Sequence, residues 1–323
     1  MATIIKRGDR WQARIRRKGF PILSESFTRR FDAEAWARKV EGELERGIWR
    51  DNREAESTTL RELLDRYETE KTAQKRGCVQ ELSVLAALKD ERVAARPLAS
   101  IRSQDVAALR DTWQKQGYRP ATVRRRLSVL SHAFEVGRKE WGMEGLVNPV
   151  RLISQPTVRN GRDRRVTGTE LDAICAASQS PALVALIGLA VETAMRRSEL
   201  VELNWANVDL ERRVVRLEQT KNGDVRDVPL TSAAVDIFRG LPRTGEGQVF
   251  GMRADSVTQA FDRACKKAKI DDLRFHDLRH EATSRLAEKL QLHELAKVTG
   301  HRDMRMVARY YHPRAEDLAR KLD

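Results

Sequence analysis

The sequence predicts a mainly α-helical protein with small β-sheets, an α+β fold in three units. Alternating apolar residues near the start of the chain are typical of strands, and apolar stripes at helical spacing dominate the remainder. One later return to strand-like spacing, at 208–230, predicts a second small sheet. The chain has 323 residues, enough for two or three domains. We place their boundaries at 1–55, 56–150 and 166–323, with a basic linker at 151–165.

The first unit is predicted to be a three-stranded sheet followed by one helix. Turn signals at Gly8–Asp9 and Lys18–Gly19 separate three runs in which apolar and polar residues alternate. Asp32 is the expected N-cap of the helix, and Gly47 is expected to end it. Basic side chains on the strands and turns either enter a DNA groove or form a solvated face, and the pattern favours neither. The candidates for DNA contact are Arg14, Arg16 and Lys18.

The second unit is predicted to be a compact helical domain. Residues 48–57 are polar and charged, as is typical of a linker, and the first helix follows a capping box at Thr59–Glu62. Apolar spacing predicts further helices at 79–90, 103–116 and 120–140. Near the start of the last helix lie three consecutive arginines, for which phosphate contact is favoured over a solvated face. They are Arg124, Arg125 and Arg126.

The third unit follows a stretch, 148–165, that contains prolines and arginines but little periodicity. This composition predicts an extended basic linker, in which Arg164 and Arg165 are candidate DNA contacts. A second capping box, at Thr167–Glu170, opens a unit that is helical except at 208–230. There, valine-rich segments flank Asn222–Gly223, which predicts an antiparallel hairpin.

The charge balance indicates a polyanionic partner. Lys and Arg number 61 against 47 Asp and Glu, a formal net charge of +14, and such a surface releases counterions when it neutralises DNA phosphates. The three cysteines are scattered without a CxxC pair, which argues against a disulfide framework or a zinc cluster. No apolar stretch is long enough to span a membrane. We therefore expect a cytoplasmic, DNA-associated protein.

Five short segments in the third unit contain the residue types that phosphoryl chemistry on DNA requires. Such a reaction needs a nucleophile, groups that stabilise charge on the phosphate and a proton donor for the leaving oxygen. The chain lacks the phosphate-binding loop of ATP-dependent enzymes and the usual motifs of zinc and serine hydrolases. Each segment alone is a weak signal. The five segments are Thr193–Leu200, Thr220–Gly223, His276–His280, Gly300–Arg302 and Arg309–His312.

In their order and spacing these segments resemble the tyrosine site-specific recombinases of the phage integrase family. The resemblance covers about 165–314 and, more faintly, the helical unit before it, while the N-terminal sheet resembles an integrase arm-binding module. It implies an arm-binding-like DNA-binding module at 1–55 and a helical core-binding domain, SAM-like in type, at 56–150. The last unit, 166–323, would be a mixed, mostly helical catalytic domain.

The resemblance assigns the covalent chemistry to a tyrosine, a lysine and a histidine. Tyr310 would attack the scissile phosphate and form a 3′-phosphotyrosyl bond; Tyr311 competes for this role, although the spacing from His301 favours Tyr310. Lys221 would protonate the departing 5′-oxygen. His276 would assist proton transfer at the tyrosine.

The resemblance assigns phosphate binding to Arg196 and Arg279, whose planar forks suit non-bridging oxygens, with a further hydrogen bond from His301. Glu199 would have a structural role and orient the first arginine or the helix around it. Where the family usually has glycine, this chain has Ala194, and we expect its methyl group to tighten packing near the catalytic arginine without loss of activity. The remaining histidines considered are interpreted as structural: His132, His280 and His293.

The implied function is that of a DNA recombinase or integrase that acts without ATP, metal or another cofactor. A homotetramer would cleave and rejoin double-stranded DNA at specific recombination sites through a Holliday junction, with accessory DNA-bending proteins as further partners. Leu318 and Leu322 share one face of the tail at 315–323, which predicts packing on a neighbouring subunit.

Three other functions fit parts of the pattern. A non-catalytic DNA-binding protein derived from an integrase would be free to lose reactive positions, whereas this chain retains the set. A type IB topoisomerase-like enzyme would use the same chemistry without a specific site. A metal-dependent nuclease would lose its activity to chelators.

Overall fold

The protein is mainly α-helical with two three-stranded antiparallel sheets, which confirms the predicted fold class. A computed structural model describes residues 2–75, 77–158, 162, 164–218, 225–243 and 247–311. It divides into two compact units, Met1–Asn160 and Gly161–Asp323. Among the helices of these described ranges, none is both long and apolar enough to cross a membrane.

The first unit begins with the predicted sheet of β1 (Ala2–Arg7), β2 (Arg10–Ile15) and β3 (Leu23–Phe27), in the order β1-β2-β3. A helix, α1 (Arg30–Glu45), packs on this sheet through a buried stripe of Ala33, Ala37, Val40 and Leu44. The helix ends before Gly47, as predicted, because Gly47 has a left-handed φ of 67°.

The predicted N-cap of α1 is wrong. The helix begins at Arg30 with Arg29 in the capping position, so Asp32 lies inside the first turn. There its negative charge still stabilises the positive end of the helix dipole. A single residue type, favourable both at the cap and in the first turn, does not fix where the helix begins.

Five further α-helices lie in the described part of the first unit. They are α2 (Arg53–Ser57), α3 (Leu60–Tyr67), α4 (Cys78–Lys89), α5 (Ser103–Lys115) and α6 (Pro120–Glu140). The capping box is confirmed, since Thr59 Oγ1 accepts from the Glu62 amide at 3.3 Å and the Glu62 carboxylate accepts from the Thr59 amide at 2.7 Å. Part of the predicted linker at 48–57 is helical instead, because Ala55 is buried in the core of this helical cluster.

The second unit is built around one apolar helix. Its elements are α7 (Gly168–Ala177), α8 (Pro181–Thr193), α9 (Arg197–Val201), β4 (Val208–Asp209), β5 (Val214–Leu217), β6 (Arg226–Pro229), α10 (Ser232–Arg239), α11 (Ala254–Lys267), α12 (Phe275–Ala287), α13 (Leu292–Thr299) and α14 (Met304–Ala308). Because α8 is apolar on nearly all sides, it is buried between α10 and α12. The predicted sheet is confirmed and gains β4 as a third strand. The predicted turn at Asn222–Gly223 lies outside the described residues.

The arginines of the predicted basic linker are tied to the second unit by ion pairs. Arg162 donates to both carboxylate oxygens of Asp277 at 2.8 Å. Arg164 pairs with Glu170, and Arg165 Nε lies 2.6 Å from Glu281. Two of these carboxylates lie on α12, so the segment fastens that helix. Arg164 and Arg165 thus have a structural role, and their contact with DNA stays a prediction.

Candidate active site

The turn after α13 brings three of the predicted site residues together. Gly300 adopts a left-handed φ of 68°, which ends the helix and turns the chain. Arg279 Nη2 donates to the carbonyl oxygen of Thr299 at 2.6 Å, and Arg196 Nη2 donates to that of Gly300 at 3.2 Å. His301 is the next residue in the chain. Two guanidinium groups and an imidazole therefore converge on one short turn.

Arg196 precedes α9 and is held by a buried carboxylate. Glu199, 4% exposed, accepts from the Arg196 backbone amide at 2.8 Å and from Arg196 Nη1 at 2.7 Å. Arg226, on β6, donates to the same two oxygens at 2.9 and 2.8 Å. Burial alone would raise the pKa of Glu199, but the bonds and charges of Arg226 and Arg196 outweigh it and lower that pKa. Glu199 thus orients the arginine, in the way that we predicted.

Arg279 is 5% exposed and anchored on both sides by backbone oxygens. One amino group donates to the Ala194 carbonyl oxygen and the other to that of Thr299. Burial, followed by repulsion from Arg196, lowers the pKa of Arg279 to about 9. The guanidinium is therefore still protonated at neutral pH, and its charge is available to an anion.

Ala194 affects the site through its backbone. It ends α8 with φ 53° and ψ 22°, in the left-handed region. A side chain costs free energy there because its Cβ crowds the following carbonyl oxygen. We expected tighter packing from the methyl group, whereas the structure gives backbone strain as the reason why glycine suits this position. The same conformation directs the Ala194 carbonyl to Arg279.

His301 is fixed in one tautomer by its neighbour. Its Nδ1 lies 2.7 Å from Thr299 Oγ1, and that hydroxyl donates to the Leu295 carbonyl oxygen at 2.6 Å. Since the hydroxyl proton is already used, Nδ1 carries the ring proton and Nε2 is left as an acceptor. Burial, followed by the charges of Arg279 and Arg196, lowers the pKa of His301 to about 4. The ring must therefore gain a proton before Nε2 can donate to a phosphate.

Tyr310 contacts a histidine that we interpreted as structural. The Tyr310 hydroxyl is hydrogen-bonded to Nδ1 of His280, and the ring centroids lie 5.7 Å apart. The structural interpretation of His280 did not anticipate this contact with the predicted nucleophile. His276 lies one helical turn earlier, with its ring edge-on to His280 at 5.1 Å between centroids. Although His276 is partly exposed, desolvation, followed by His280 and Arg279, lowers its pKa.

Two predicted features lie outside the described residues: Lys221 and the tail at 315–323. The choice between neighbouring arginines is supported by geometry, since Arg197 contacts Thr258 and not the turn at Gly300. The HxxR spacing is also confirmed as one turn of α12.

The basic residues of the first unit differ in exposure. Arg16, Lys18, Arg124 and Arg125 are exposed, while Arg14 is half-buried. Arg126 packs its guanidinium over two aromatic rings, 4.1 Å from the Tyr118 centroid and 5.2 Å from that of Trp113. Arg126 therefore has a packing role in addition to its predicted one, and DNA contact by all six stays a prediction.

Sequence reasoning missed His280 and Arg226, although each had a signal. His280 is four residues after His276, so helical spacing places both on one face of α12. Arg226 is two residues before the buried Val228, so strand alternation places both on one face of β6. Their partners, Tyr310 and Glu199, are distant in sequence and share no local pattern with them.

The site combines two buried or half-buried guanidinium groups, neutral imidazoles and a phenol. Such a set can bind a phosphodiester through its non-bridging oxygens and present a nucleophile to its phosphorus atom. Clustered carboxylates, which metal-dependent nucleases use, are absent from its described residues; Glu199 is already bonded to two arginines.

Comparisons with known proteins agree with this chemistry. Residues 164–317 match the phage integrase family. The chain is 38% identical over 276 residues to a shufflon-specific DNA recombinase of Escherichia coli, covering 82% of this chain and 72% of that protein. It is 35% identical over 341 residues to a putative integrase/recombinase of Haemophilus influenzae, covering 99% and 88%. Its fold is similar to that of a lambda integrase tetramer bound to a Holliday junction, with TM-score 0.65, 21% identity and coverage of 93% and 95%.

Proposed function

The chain belongs to the phage integrase family of tyrosine site-specific recombinases, and from that premise we propose how its residues divide the chemistry. Tyr310 attacks the scissile phosphate, and the bond between phosphorus and the 5′-oxygen breaks as the 3′-phosphotyrosyl bond forms. Lys221 gives a proton to the departing oxygen. Rejoining is the same reaction in reverse with another 5′-hydroxyl, so the phosphoester bond energy is retained and ATP is not consumed.

Arg196 and Arg279 bind the non-bridging oxygens and stabilise the charge that develops on the phosphate. His301 adds a hydrogen bond from Nε2 once the phosphate has raised its pKa and it has taken up a proton. His276 belongs to the same cluster and assists proton transfer at Tyr310. The observation that carries this proposal is the convergence of both arginines on the turn at Thr299–His301.

The proposed partner is double-stranded DNA with specific recombination sites. One relative of similar fold is a tetramer on a Holliday junction, which supports a homotetramer and a Holliday-junction intermediate here. We assign 1–55 to an arm-binding-like module, 56–150 to core binding, 151–165 to a basic linker and 166–323 to catalysis. Accessory DNA-bending proteins are further candidate partners. We expect the enzyme to be associated with DNA in the cytoplasm.

The test is covalent trapping on a nicked duplex. The DNA comes from the flanks of the genetic element that encodes the protein, with the nick close to the scissile phosphate so that cleavage cannot be reversed. Wild type, Tyr310→Phe and the matched control Tyr311→Phe are incubated with EDTA and run on a denaturing gel. We expect a protein–DNA adduct with wild type and Tyr311→Phe and none with Tyr310→Phe. Loss of the adduct in Tyr311→Phe but not in Tyr310→Phe would identify Tyr311 as the nucleophile.

The same assay separates the alternatives. DNA binding without any adduct would favour a non-catalytic protein derived from an integrase, and activity that EDTA abolishes would favour a metal-dependent nuclease. Relaxation of supercoiled plasmids that lack recombination sites would favour a type IB topoisomerase-like enzyme. We expect no such relaxation.

A further inference from the structure

We propose that His280 is the base that accepts the phenolic proton of Tyr310 during attack on DNA. The inference rests on the proposed function, and it adds His280 to the role implied for His276, which would assist the transfer through its ring contact with His280. His280 is therefore a catalytic residue, since it touches the reacting oxygen.

The direct contact is the first argument. His280 lies in the second turn of α12, and its Nδ1 is hydrogen-bonded to the Tyr310 hydroxyl. The two rings are inclined by only 30°, with centroids 5.7 Å apart. His276 meets His280 edge-on at 5.1 Å between ring centroids. His276 is thus adjacent to the base, whereas His280 is bonded to the nucleophile.

The electrostatic surroundings are the second argument. The charged and titratable groups near His280 include His276 and Asp277 on α12, and His301 after α13, each of which interacts electrostatically with it. Arg279, the preceding residue on α12, interacts electrostatically with Tyr310. A buried cation of this kind favours the phenolate over the phenol. It thereby lowers the free energy of moving the proton from the tyrosine to the neighbouring imidazole.

The proposed step balances in protons and bonds. The Tyr310 O–H proton moves to Nδ1 of a neutral His280, and the phenolate oxygen forms a bond to phosphorus. The bond from phosphorus to the 5′-oxygen breaks, and that oxygen takes the proton that Lys221 supplies. During rejoining, the imidazolium of His280 returns its proton to the Tyr310 oxygen as the phosphotyrosyl bond breaks.

The test compares the pH dependence of adduct formation on the nicked duplex. For His280→Gln we expect the rate at neutral pH to fall by roughly 10²- to 10⁴-fold, the usual contribution of a general base. The deficit should shrink as the pH approaches about 10, where hydroxide itself deprotonates a phenol. Added imidazole should partly restore His280→Ala. A residue that acted only on packing would give the same deficit at every pH and no rescue.

The matched control is His132→Gln, because His132 makes the same contact to another tyrosine, Tyr67. It should keep the wild-type rate and pH profile. A pH-independent deficit in His280→Gln without rescue in His280→Ala would overturn the proposal. The proposal would also be overturned if His276→Gln, and not His280→Gln, showed the expected change in the pH profile of adduct formation. Wild type that forms no adduct, or Tyr310→Phe that still does, would count against the proposed function itself.

Discussion

The molecule contains two tyrosine–histidine pairs with nearly the same contact. In the first unit, the Tyr67 hydroxyl lies 2.6 Å from Nδ1 of His132, with ring centroids 5.5 Å apart. In the second unit, the Tyr310 hydroxyl is bonded to Nδ1 of His280, with centroids 5.7 Å apart. The side chains and the bonded atoms are the same, so the pair itself does not decide its role.

The surroundings of the two pairs differ. Tyr67 is 1% exposed, and its hydroxyl also accepts from Lys75 Nζ at 2.7 Å. Lys75 is in turn paired with Glu81 at 2.6 Å, so this network is closed by an ion pair. Burial, opposed by the Lys75 bond, raises the pKa of Tyr67 and makes it a poor nucleophile.

Tyr310, by contrast, is half-buried and interacts electrostatically with Arg279. Arg279 bonds to two backbone oxygens, while Arg196 and Arg226 share the carboxylate of Glu199. The comparison teaches that the same tyrosine–histidine bond can stand in very different electrostatic surroundings. In our proposal the bond is reactive where guanidinium groups outnumber the carboxylates that pair with them.

The largest effect should come from removing one cation that pairs with a carboxylate in each unit. Arg226→Met leaves Glu199 buried with one partner fewer, which should cost about 3–5 kcal/mol of unfolding free energy in the second unit. Lys75→Met leaves Tyr67 and Glu81 short of a donor and should cost about 1–3 kcal/mol in the first. Hydrogen exchange read peptide by peptide by mass spectrometry separates the two units. Equal losses of unfolding free energy in the two units would mean that the burial of Glu199 does not determine the size of the effect.

A smaller effect should come from acidification. His301 has a folded pKa of about 4, below its unfolded value of about 6.5, so the unfolded state binds more protons between these limits. Stability should be fully present above about pH 6.5 and fall as the pH drops toward 4. After allowance for partial exposure, His301 should contribute about 1–2 kcal/mol to that loss.

The measurement for this prediction is urea unfolding at a series of pH values for wild type, His301→Gln and His132→Gln. We expect His301→Gln to flatten the pH dependence of the unfolding free energy. The pKa of His132 is also lowered, by desolvation and then Lys75, but its ring is exposed, so His132→Gln should flatten the dependence less. A curve that keeps its wild-type slope in His301→Gln would contradict the assigned environment of His301.

The smallest effect should come from the backbone beneath Arg279. Ala194→Gly removes a methyl group from a left-handed residue and should raise the unfolding free energy by about 1 kcal/mol, after the entropy cost of glycine. Lys269→Gly is the matched control, since Lys269 is also left-handed, with a φ of 57°. Thermal unfolding should show stabilisation by both, and adduct formation should be retained in both. A loss of stability in Ala194→Gly would mean that the methyl group contributes more by packing than it costs in strain.

Local chemistry explains what could be predicted. Thr59 and Thr167 make their capping boxes as predicted, because a cap involves residues only three apart. The buried stripe of α6 and the left-handed Gly47 are likewise read from spacing and residue type. The prediction failed at Asp32, where two local positions suit the same residue, and at 53–57, where burial of Ala55 overrides a polar composition.

The site was predictable in residue type but not in its connections. Arg196, Arg279, His301 and Tyr310 are identified by family resemblance, and the structure brings the first three to one turn. The contact of His280 with Tyr310 was not predicted, since nothing in residues 276–280 indicates which histidine meets the tyrosine. That choice depends on how α12 packs beside the segment after α14.

The sequence by itself determined most of the helices, the two sheets and the two threonine capping boxes, because each depends on side chains a few positions apart. The set of candidate site residues came from short motifs and their order along the chain. Only the tertiary structure decided that His280 bonds Tyr310, that Arg226 shares Glu199 with Arg196 and that Ala194 is strained. These contacts join groups distant along the chain or depend on a backbone torsion. Their free energies arise from burial and charge at the meeting point, which exists only once the core has packed.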